Sequence, residues 1–331
     1  MIDFEKEVKT LHEKPKIIAV VGPTAGGKSA LALTLAERLD GEIVSCDSMQ
    51  IYRGMDIGTA KPTPAERAAI PHHLIDIAEP EEPFSAVDYV AAAGEAVTDI
   101  LSRGKLPILC GGTGLYLDAF LRGESVETPG ADPALREELL ALATERGAEF
   151  LHAQLREVDP ESADAIHPNN LRRVIRALEL YRTTGVTKTE WDRRSREAPS
   201  RFRATVLGLS YTNRNILYDR IERRVDQMLT DGLLEETRAL AARGVFHHSP
   251  TAAAAIGYKE LLPYLAGECT LEDAIAELKT ATRRYAKRQM TWFLAKPYIQ
   301  WIAADDGELP RKYEEIVNMA LELCEGADNM L

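Results

Sequence analysis

Short apolar runs separated by longer helical patterns dominate the first half of the chain. Residues 16–21, 42–46 and 106–110 are mostly aliphatic and partly β-branched, which is typical of buried strands. Helical patterns lie between them, at residues 30–40 and 84–103. This alternation predicts a parallel sheet flanked by helices, and in such sheets the loops at the carboxyl ends of the strands form the site.

From about residue 124 the alternation stops and only the helical periodicity continues. The pattern predicts helices over 132–147 and 168–185, the second with apolar residues at 3.6-residue spacing. A strand returns at 204–209, and amphipathic helices are predicted over 213–229 and 278–294. The later part of the chain therefore combines an all-helical stretch with a return to the sheet.

We therefore expect an α/β protein with two lobes. At 331 residues the chain exceeds what one compact core usually serves. The core would be made from residues 1–123 and 201–331, and residues 124–200 would form an all-helical insertion. The segment after Trp301 is acidic and has no pattern that predicts an element.

The composition, 45% hydrophobic and 28% charged, is that of a globular protein in water. No apolar run has membrane-spanning length, and the charged first 14 residues lack an apolar signal core, so we expect a cytoplasmic protein with no membrane partner. The four cysteines are scattered, which argues against a zinc knuckle or a disulfide framework. Adjacent histidines do not share a helix face, so we do not expect a metal cluster either.

Residues 22–29 read G-P-T-A-G-G-K-S and match the phosphate-binding pattern G-x-x-x-x-G-K-[ST] at every position. The preceding run is a predicted strand and the following one a predicted helix, which is the context that this loop requires. Glycines let backbone N–H groups surround an anion, the helix N-terminus adds positive character, Lys28 adds a full charge, and Ser29 can reach a magnesium ion. The pattern predicts a P-loop, which makes the expected sheet similar to that of P-loop NTPases.

Two further loops end predicted strands beside the P-loop. Asp47 follows the second strand, where a carboxylate can bind magnesium, orient a substrate or accept a proton, although a turn or N-cap aspartate is equally compatible with the sequence. Residues 111–114 read G-G-T-G after the third strand. Such a turn is a weak signal alone, but beside a P-loop Thr113 becomes a candidate substrate contact.

The net charge of −12 hides a strong segregation of charge along the chain. Residues 167–204 carry ten basic and four acidic side chains, and residues 279–296 carry six basic and no acidic ones. Such local positive fields can dock a polyanion. Solvated charged faces are the commoner explanation of such clusters, but here Trp191 is interleaved with the arginines, as suits RNA phosphates and bases.

Several motifs together resemble the bacterial tRNA dimethylallyltransferase family. Besides the P-loop, residues 45–62 read S-C-D-S-M-Q-I-Y-R-G-M-D-I-G-T-A-K-P, and this segment separates the family from P-loop kinases. Four shorter motifs follow in the family's order: G-G-T-G-L-Y at 111–116, H-P-N at 167–169, I-G-Y-K-E at 256–260 and T-R-x-Y-A-K-R-Q-x-T-W at 282–292. The resemblance covers roughly residues 15–302.

The resemblance implies transfer of a dimethylallyl group from dimethylallyl diphosphate to the exocyclic amine of the adenine directly 3′ of the anticodon. The tRNAs would be those that read codons beginning with U, with the anticodon arm as the bound part and Mg²⁺ as the cofactor. We also expect a monomer. The chain departs from the family at Gly26, where many members have Ser, and at Arg172, where members usually have Gln.

The motifs and the resemblance together assign roles to individual residues. The catalytic residues expected are Asp47, Thr24 and Lys28. The diphosphate site is expected to comprise Gly22, Thr24, Ala25, Gly26, Gly27, Lys28, Ser29, Arg220 and Arg224, with Ser29 as the metal ligand. The tRNA contacts expected are Asp47, Ser48, Met49, Gln50, Thr113, Arg172, Arg173, Arg176, Arg283, Lys287 and Arg288. From the sequence alone, Arg220 and Arg224 are equally compatible with an ordinary surface position.

Two alternative functions use the same features differently. A P-loop kinase would bind ATP in the loop and use Asp47 to activate a hydroxyl group. That function leaves the basic insertion and the basic residues near 283–288 unexplained. A non-catalytic RNA-binding protein would leave the P-loop unexplained.

Overall fold

The computed structural model describes residues 14–122, 132–197 and 201–326. Six strands form one sheet: β1 Lys16–Val21, β2 Gly41–Ser45, β3 His72–His73, β4 Leu106–Gly111, β5 Arg203–Ser210 and β6 Ile299–Ala303. The four strands expected from the apolar runs are confirmed to within two residues at each end.

The sheet is parallel throughout, in the order β3-β2-β4-β1-β5-β6. Strand β1 lies inside the sheet between β4 and β5, and five of its six residues are buried. The chain therefore leaves β1 to one side to make β2 and β4, and later returns to the other side to make β5. Because the strands are parallel, their carboxyl ends lie at one edge of the sheet. That edge is where doubly wound sheets bind their ligands. The expected α/β fold class is confirmed.

Four helices accompany the first four strands: α1 Lys28–Arg38, α2 Pro64–Ala69, α3 Ala86–Ser102 and α4 Gly114–Arg122. Helix α1 begins at Lys28, within the P-loop, and its Leu31 and Leu35 are buried against β-strand residues such as Ile18. Helix α3 begins at a capping box formed by Ser85 and Asp88, which satisfies backbone donors at its N-terminus.

Residues Leu121–Arg201 form a compact unit of their own. Its described helices are α5 Pro133–Arg146, α6 Ala148–Val158, α7 Pro160–Ala165, α8 Leu171–Thr184 and α9 Lys188–Glu197. Their apolar residues form a separate core that includes Leu139, Leu151 and Leu178. Buried Glu179 lies in this unit and accepts hydrogen bonds from Arg136, Arg176 and the backbone N–H of Asp132. Helix α8 begins three residues later than the sequence pattern predicted.

The remaining helices return to the unit that contains the sheet: α10 Arg214–Thr230, α11 Leu233–Ala242, α12 Val245–His248, α13 Pro250–Ala253, α14 Leu262–Leu265, α15 Leu271–Leu294 and α16 Tyr313–Gly326. The prediction for α15 was seven residues too short, because Thr270 caps the helix well before its basic part. A second apolar core joins α10, α11 and α15 to the segment after β2, through residues such as Tyr52, Met55 and Tyr258.

The segment after Trp301, for which the sequence predicted no element, completes the sheet side of the fold. Strand β6 pairs with β5, and buried Val317 and Ala320 of α16 join the same apolar core as helix α1. Tyr313 donates a hydrogen bond to the carbonyl of Ala30 at 2.8 Å. The sequence did not predict α16, because its acidic residues drew attention to its charge and away from its apolar face.

None of the helices in the described ranges is both long and apolar enough to cross a membrane.

Candidate active site

The P-loop forms an open anion cradle at the start of α1. Gly27 caps the helix with φ of 95°, a conformation that glycine adopts easily, and in the described part of the chain the N-cap makes no side-chain hydrogen bond. Ala25 also has a positive φ of 58°, and the N–H of Gly26 is held by the carbonyl of Pro23 at 3.1 Å. A Cβ at Gly22 would lie 2.8 Å from the carbonyl of Leu209, so that position has no room for a side chain. The cradle therefore presents uncapped N–H groups and the positive end of a helix dipole.

Lys28 lies within this cradle, and its ammonium group donates to the carbonyl of Pro23 at 2.9 Å. Burial lowers the pKa of Lys28 to about 8, and the neighbouring Arg224 acts in the same direction, whereas Asp47 opposes the shift. A bound anion would restore the preference for the charged form, because an opposite charge close by raises the pKa of a lysine.

Arginines from helix α10 close one side of the cradle. Arg220 donates through Nε to the carbonyl of Ala25 at 2.8 Å, and Arg224 lines the same pocket of about 430 Å³ as Gly26 and Lys28. Arg220 and Arg224 are therefore half-buried beside the P-loop, and their contact with a diphosphate stays a prediction. Arg223, which was not among the predicted diphosphate-binding residues, also lines this pocket.

Asp47 faces the P-loop across a second pocket of about 280 Å³. Its lining includes Lys28, Ser29, Thr24, Arg224 and Asp47 itself. One oxygen of Asp47 accepts the backbone N–H of Met49 at 2.9 Å, so the residue forms a turn as well as facing the pocket. The position of Asp47 is therefore compatible with both explanations considered for it: the residue caps a turn, and it lines the same pocket as the P-loop lysine.

Thr113 and Ser48 join the two loops that follow β4 and β2. Thr113 accepts the backbone N–H of Ser48 at 3.0 Å, and its own N–H donates to the carbonyl of Cys46 at 3.2 Å. Thr113 therefore holds the Asp47 loop in place, whatever further contact it makes. Met49 packs against the apolar core that contains Tyr52.

Gln50 lies in the segment that follows β2, and its side-chain amide bonds to residues on both sides of it in sequence. Its Oε1 accepts a hydrogen bond from Ser45 at 2.9 Å, and its Nε2 donates to the carbonyls of Thr59 and Ala60 at 3.2 and 3.1 Å. Gln50 also lines the pocket of Asp47. Its amide thus ties two stretches of the pocket wall together.

Helix α15 contributes two pocket residues that were not among the predicted site residues, Gln289 and Tyr285. Gln289 accepts the backbone N–H of Thr24 at 2.8 Å and donates to the carbonyl of Gly112 at 3.1 Å. It therefore connects the P-loop to the glycine turn after β4. The available signal was that both residues lie on a side of the helix away from its basic stripe.

The basic residues of α15 divide into paired and unpaired ones. Arg283 forms an ion pair with Glu222, and Arg284 forms one with Glu277 at 3.2 Å. Lys287 and Arg288 are exposed, and across the described ranges no carboxylate lies within ion-pair distance of either. Arg288 also lies 5.7 Å from the ring centre of Tyr285.

Within the helical unit, Arg172 and Arg173 of α8 are exposed, whereas Arg176 is half-buried and pairs with Glu179 at 2.7 Å. The same role was predicted for these three arginines, but their surroundings in the structure differ.

Ser29 lines the Asp47 pocket, where its hydroxyl could reach a cation that also contacts phosphate oxygens. In the described part of the chain, no three His, Cys, Asp or Glu residues gather into a metal site. Magnesium commonly takes only one or two protein oxygens and fills its shell with phosphate and water. The residues present therefore fit a magnesium ion that arrives with a diphosphate.

Comparison with protein families gives a match to the model described as IPP transferase over residues 50–296. The chain is 49% identical over 305 residues to a tRNA dimethylallyltransferase of Halalkalibacterium halodurans, covering 92% of this chain and 96% of that protein. It is 50% identical over 302 residues to the tRNA dimethylallyltransferase of Geobacillus thermodenitrificans, covering 91% and 95%.

Two solved structures extend these similarities to the fold. The tRNA isopentenylpyrophosphate transferase of Bacillus halodurans matches with a TM-score of 0.69 and 44% identity, covering 96% of this chain and 99% of that chain. A eukaryotic dimethylallyltransferase acting on tRNA matches with a TM-score of 0.80 and 31% identity, covering 94% and 80%.

Proposed function

This chain belongs to the IPP transferase family of tRNA dimethylallyltransferases, and we propose that it prenylates the adenine 3′-adjacent to the anticodon. The donor is dimethylallyl diphosphate, the acceptor is the exocyclic N6 amine, and the tRNAs are those that read codons beginning with U. The observation that carries the proposal is that Asp47, Lys28 and Arg224 line one pocket, so that a carboxylate faces a diphosphate cradle.

The diphosphate is the leaving group. As the bond between the allylic carbon and its oxygen breaks, the electron pair stays with the diphosphate and negative charge builds up on it. The backbone N–H groups at the start of α1, together with Lys28, Arg220 and Arg224, line the pocket that would hold this charge, and they stabilise it most when it is fully developed. A magnesium ion held by Ser29 would neutralise part of the same charge.

The adenine amine is the nucleophile, and it must lie in line with the breaking bond. As nitrogen bonds to carbon it becomes acidic, and Asp47 accepts the proton that it loses. Thr24, a P-loop residue whose backbone N–H is held by Gln289, lines the pocket of Asp47 and orients the reacting end of the donor. The base reaches the pocket by leaving its stack, at a cost of a few kcal/mol.

The anticodon arm is held by positive charge and by the loop around Asp47. Lys287 and Arg288 on α15, and Arg172 and Arg173 on α8, are exposed cations suited to phosphate contacts. Gln50 lines the pocket of Asp47, and Ser48, Met49 and Thr113 belong to the two loops that are joined beside it. These loops would contact the flipped nucleotide. Arg176 and Arg283, which are engaged in ion pairs, act by orienting these surfaces or exchange partners when RNA binds.

The enzyme acts as a monomer in the cytoplasm. One chain supplies the P-loop, Asp47 and the basic residues, so no second copy is needed to complete the pocket.

A transfer assay tests this function. The protein is incubated with tRNA and either labelled dimethylallyl diphosphate or labelled ATP, and the label in RNA is measured and mapped by nuclease digestion. Label from the prenyl donor should enter RNA at the adenine 3′-adjacent to the anticodon. Label from ATP entering a small molecule, with no prenyl transfer, would overturn the proposal in favour of a kinase.

A further inference from the structure

One carboxylate holds a turn in the segment between β2 and α2 by accepting several of its backbone N–H groups. Glu236 of α11 accepts the backbone N–H groups of Asp56, Ile57 and Gly58 at 3.0, 2.9 and 3.1 Å. It also accepts the hydroxyl of Tyr258 at 2.7 Å. Three consecutive N–H groups converging on one carboxylate form an anion-binding nest, here occupied by the protein's own side chain.

Tyr258 fixes the same turn by packing. Its side chain is fully buried, and a Cβ added to Gly58 would lie 2.5 Å from the ring carbon Cζ. Gly257 approaches Gly58 as well, since a Cβ there would lie 3.2 Å from the carbonyl of Gly58. The motif I-G-Y-K-E at 256–260, which the proposed chemistry leaves unused, thus packs against the loop that follows Asp47.

The turn held by Glu236 is connected to the pocket wall. Directly after Gly58, the carbonyls of Thr59 and Ala60 accept both amide hydrogens of Gln50. Lys61, whose side chain is only 4% exposed, adds a bond to the carbonyl of Tyr52 at 2.6 Å. The residues 59–62 and Gln50 line the same pocket as Asp47. A shift of the turn therefore moves the pocket wall opposite the P-loop.

We propose that Glu236 and Tyr258 are positioning residues for the transfer step, because they hold the turn at 56–58 that sets the wall around Asp47 and Gln50. This inference rests on the proposed function and adds to it two residues that do not line the pocket of Asp47. Within the described ranges, the side-chain hydrogen bonds of Glu236 and Tyr258 go to the turn at 56–58 and to each other. The P-loop is held instead by the bonds of Arg220 to Ala25 and of Gln289 to Thr24. The clamp that Glu236 and Tyr258 form on this turn therefore acts chiefly on the wall around Gln50, whereas the P-loop is fixed by bonds of its own.

The substitution Glu236→Gln tests this clamp with little change in volume. An amide can accept through only one oxygen and turns its NH₂ group toward backbone N–H donors, so the nest loses acceptors and gains a repulsive contact. We expect kcat to fall by about 10²-fold, the size of effect that a misplacement of about 1 Å has in an active site. The KM for dimethylallyl diphosphate should stay within about twofold.

Two further variants separate positioning from a general loss of structure. Tyr258→Phe keeps the ring packed against Gly58 and removes one hydrogen bond, so kcat should fall by roughly two- to tenfold. Glu235→Gln removes the neighbouring carboxylate of the same helix, which is exposed and pairs loosely with Arg238 at 3.8 Å, and it should behave as wild type. Hydrogen exchange of the amides at 56–58 should speed up in Glu236→Gln and be unchanged in Glu235→Gln.

Several outcomes of these measurements would contradict the inference. Unchanged kcat in a folded Glu236→Gln protein overturns the inference, as does a parallel rise in the KM for the diphosphate or an equal loss in Glu235→Gln. If Glu236→Gln fails to fold, unchanged kcat and exchange in Tyr258→Phe overturn it. A wild-type protein without transferase activity would sink the proposed function instead, while the exchange data would still report on the clamp.

Discussion

Asp47 combines two tasks in one side chain. One oxygen accepts the N–H of Met49 and so fixes the turn, while the residue lines the pocket that contains Lys28 and Arg224. The sequence left a turn aspartate and a site aspartate equally open, because both follow a strand in the same way. In the structure Asp47 both closes the turn and lines the pocket, and its role in proton transfer stays a prediction.

Replacing Asp47 with Asn should keep the turn and remove the base. The amide oxygen still accepts from Met49, but it does not take up the amine proton, so kcat should fall by about 10²–10⁴-fold. Binding of tRNA, measured by filter retention, should change by less than about threefold. Near-wild-type turnover of Asp47→Asn would remove Asp47 from the proton-transfer role.

Lys28 should make diphosphate binding depend on pH. Its pKa is lowered to about 8 by burial in the unliganded protein, and a bound diphosphate raises it again, so binding near pH 8 takes up a fraction of a proton. Above pH 8 the lysine must be protonated before it can pair with the anion, and affinity should fall as pH rises. Calorimetry with pyrophosphate in two buffers of different ionisation enthalpy measures the uptake.

The control for this pH effect is Lys28→Arg, which keeps the charge but does not titrate in this range. The protonation of pyrophosphate itself is common to both proteins, so the difference between them isolates Lys28. Equal proton uptake by the two proteins would contradict the assignment.

At the scale of elements, helix α15 has two faces with different tasks. Lys287 and Arg288 lie on the exposed face, whereas Gln289 is buried and bonds to the P-loop and to the turn after β4. The apolar periodicity predicted the C-terminal part of the helix. It did not show that Gln289 is a junction, because a buried glutamine acquires its role only from the two loops that tertiary folding brings to it.

The variant Gln289→Met should weaken the donor site while keeping the side-chain volume. It leaves the N–H of Thr24 and the carbonyl of Gly112 without their partner, at a cost of about 1–3 kcal/mol each if they stay dry. We expect a lower melting temperature and a roughly tenfold higher KM for dimethylallyl diphosphate. Thr291→Ala, on the exposed face, should leave both unchanged, and an identical result for the two variants would argue against the junction.

At the scale of the whole molecule, segregated charge reconciles an acidic protein with an RNA substrate. The net charge is −12, yet residues 279–296 carry no acidic side chain. Much of the negative charge after Trp301 lies on helix α16, which covers the sheet beside α1. The mean charge therefore says little about where RNA can dock.

Salt dependence measures the charge that contacts RNA. Lys287→Gln and Arg288→Gln should each lower the slope of log affinity for tRNA against log salt by about 0.7–0.9, the value of one phosphate contact. Arg284→Gln is the matched control, since Arg284 lies on the same helix but pairs with Glu277 at 3.2 Å. Wild-type slopes in both Lys287→Gln and Arg288→Gln would place the RNA elsewhere.

The sequence by itself determined the strands β1, β2, β4 and β5, the P-loop and the family, because apolar runs and a contiguous motif are local properties of the chain. It could not determine β3, which has two residues, or the buried face of α16, which its acidic residues disguise. The contacts of Arg220 with Ala25, of Gln289 with Thr24 and of Glu236 with the turn at 56–58 join residues at least 178 positions apart. Only the tertiary structure decides such contacts, since a hydrogen bond depends on where two distant segments meet and leaves no periodic trace in either of them.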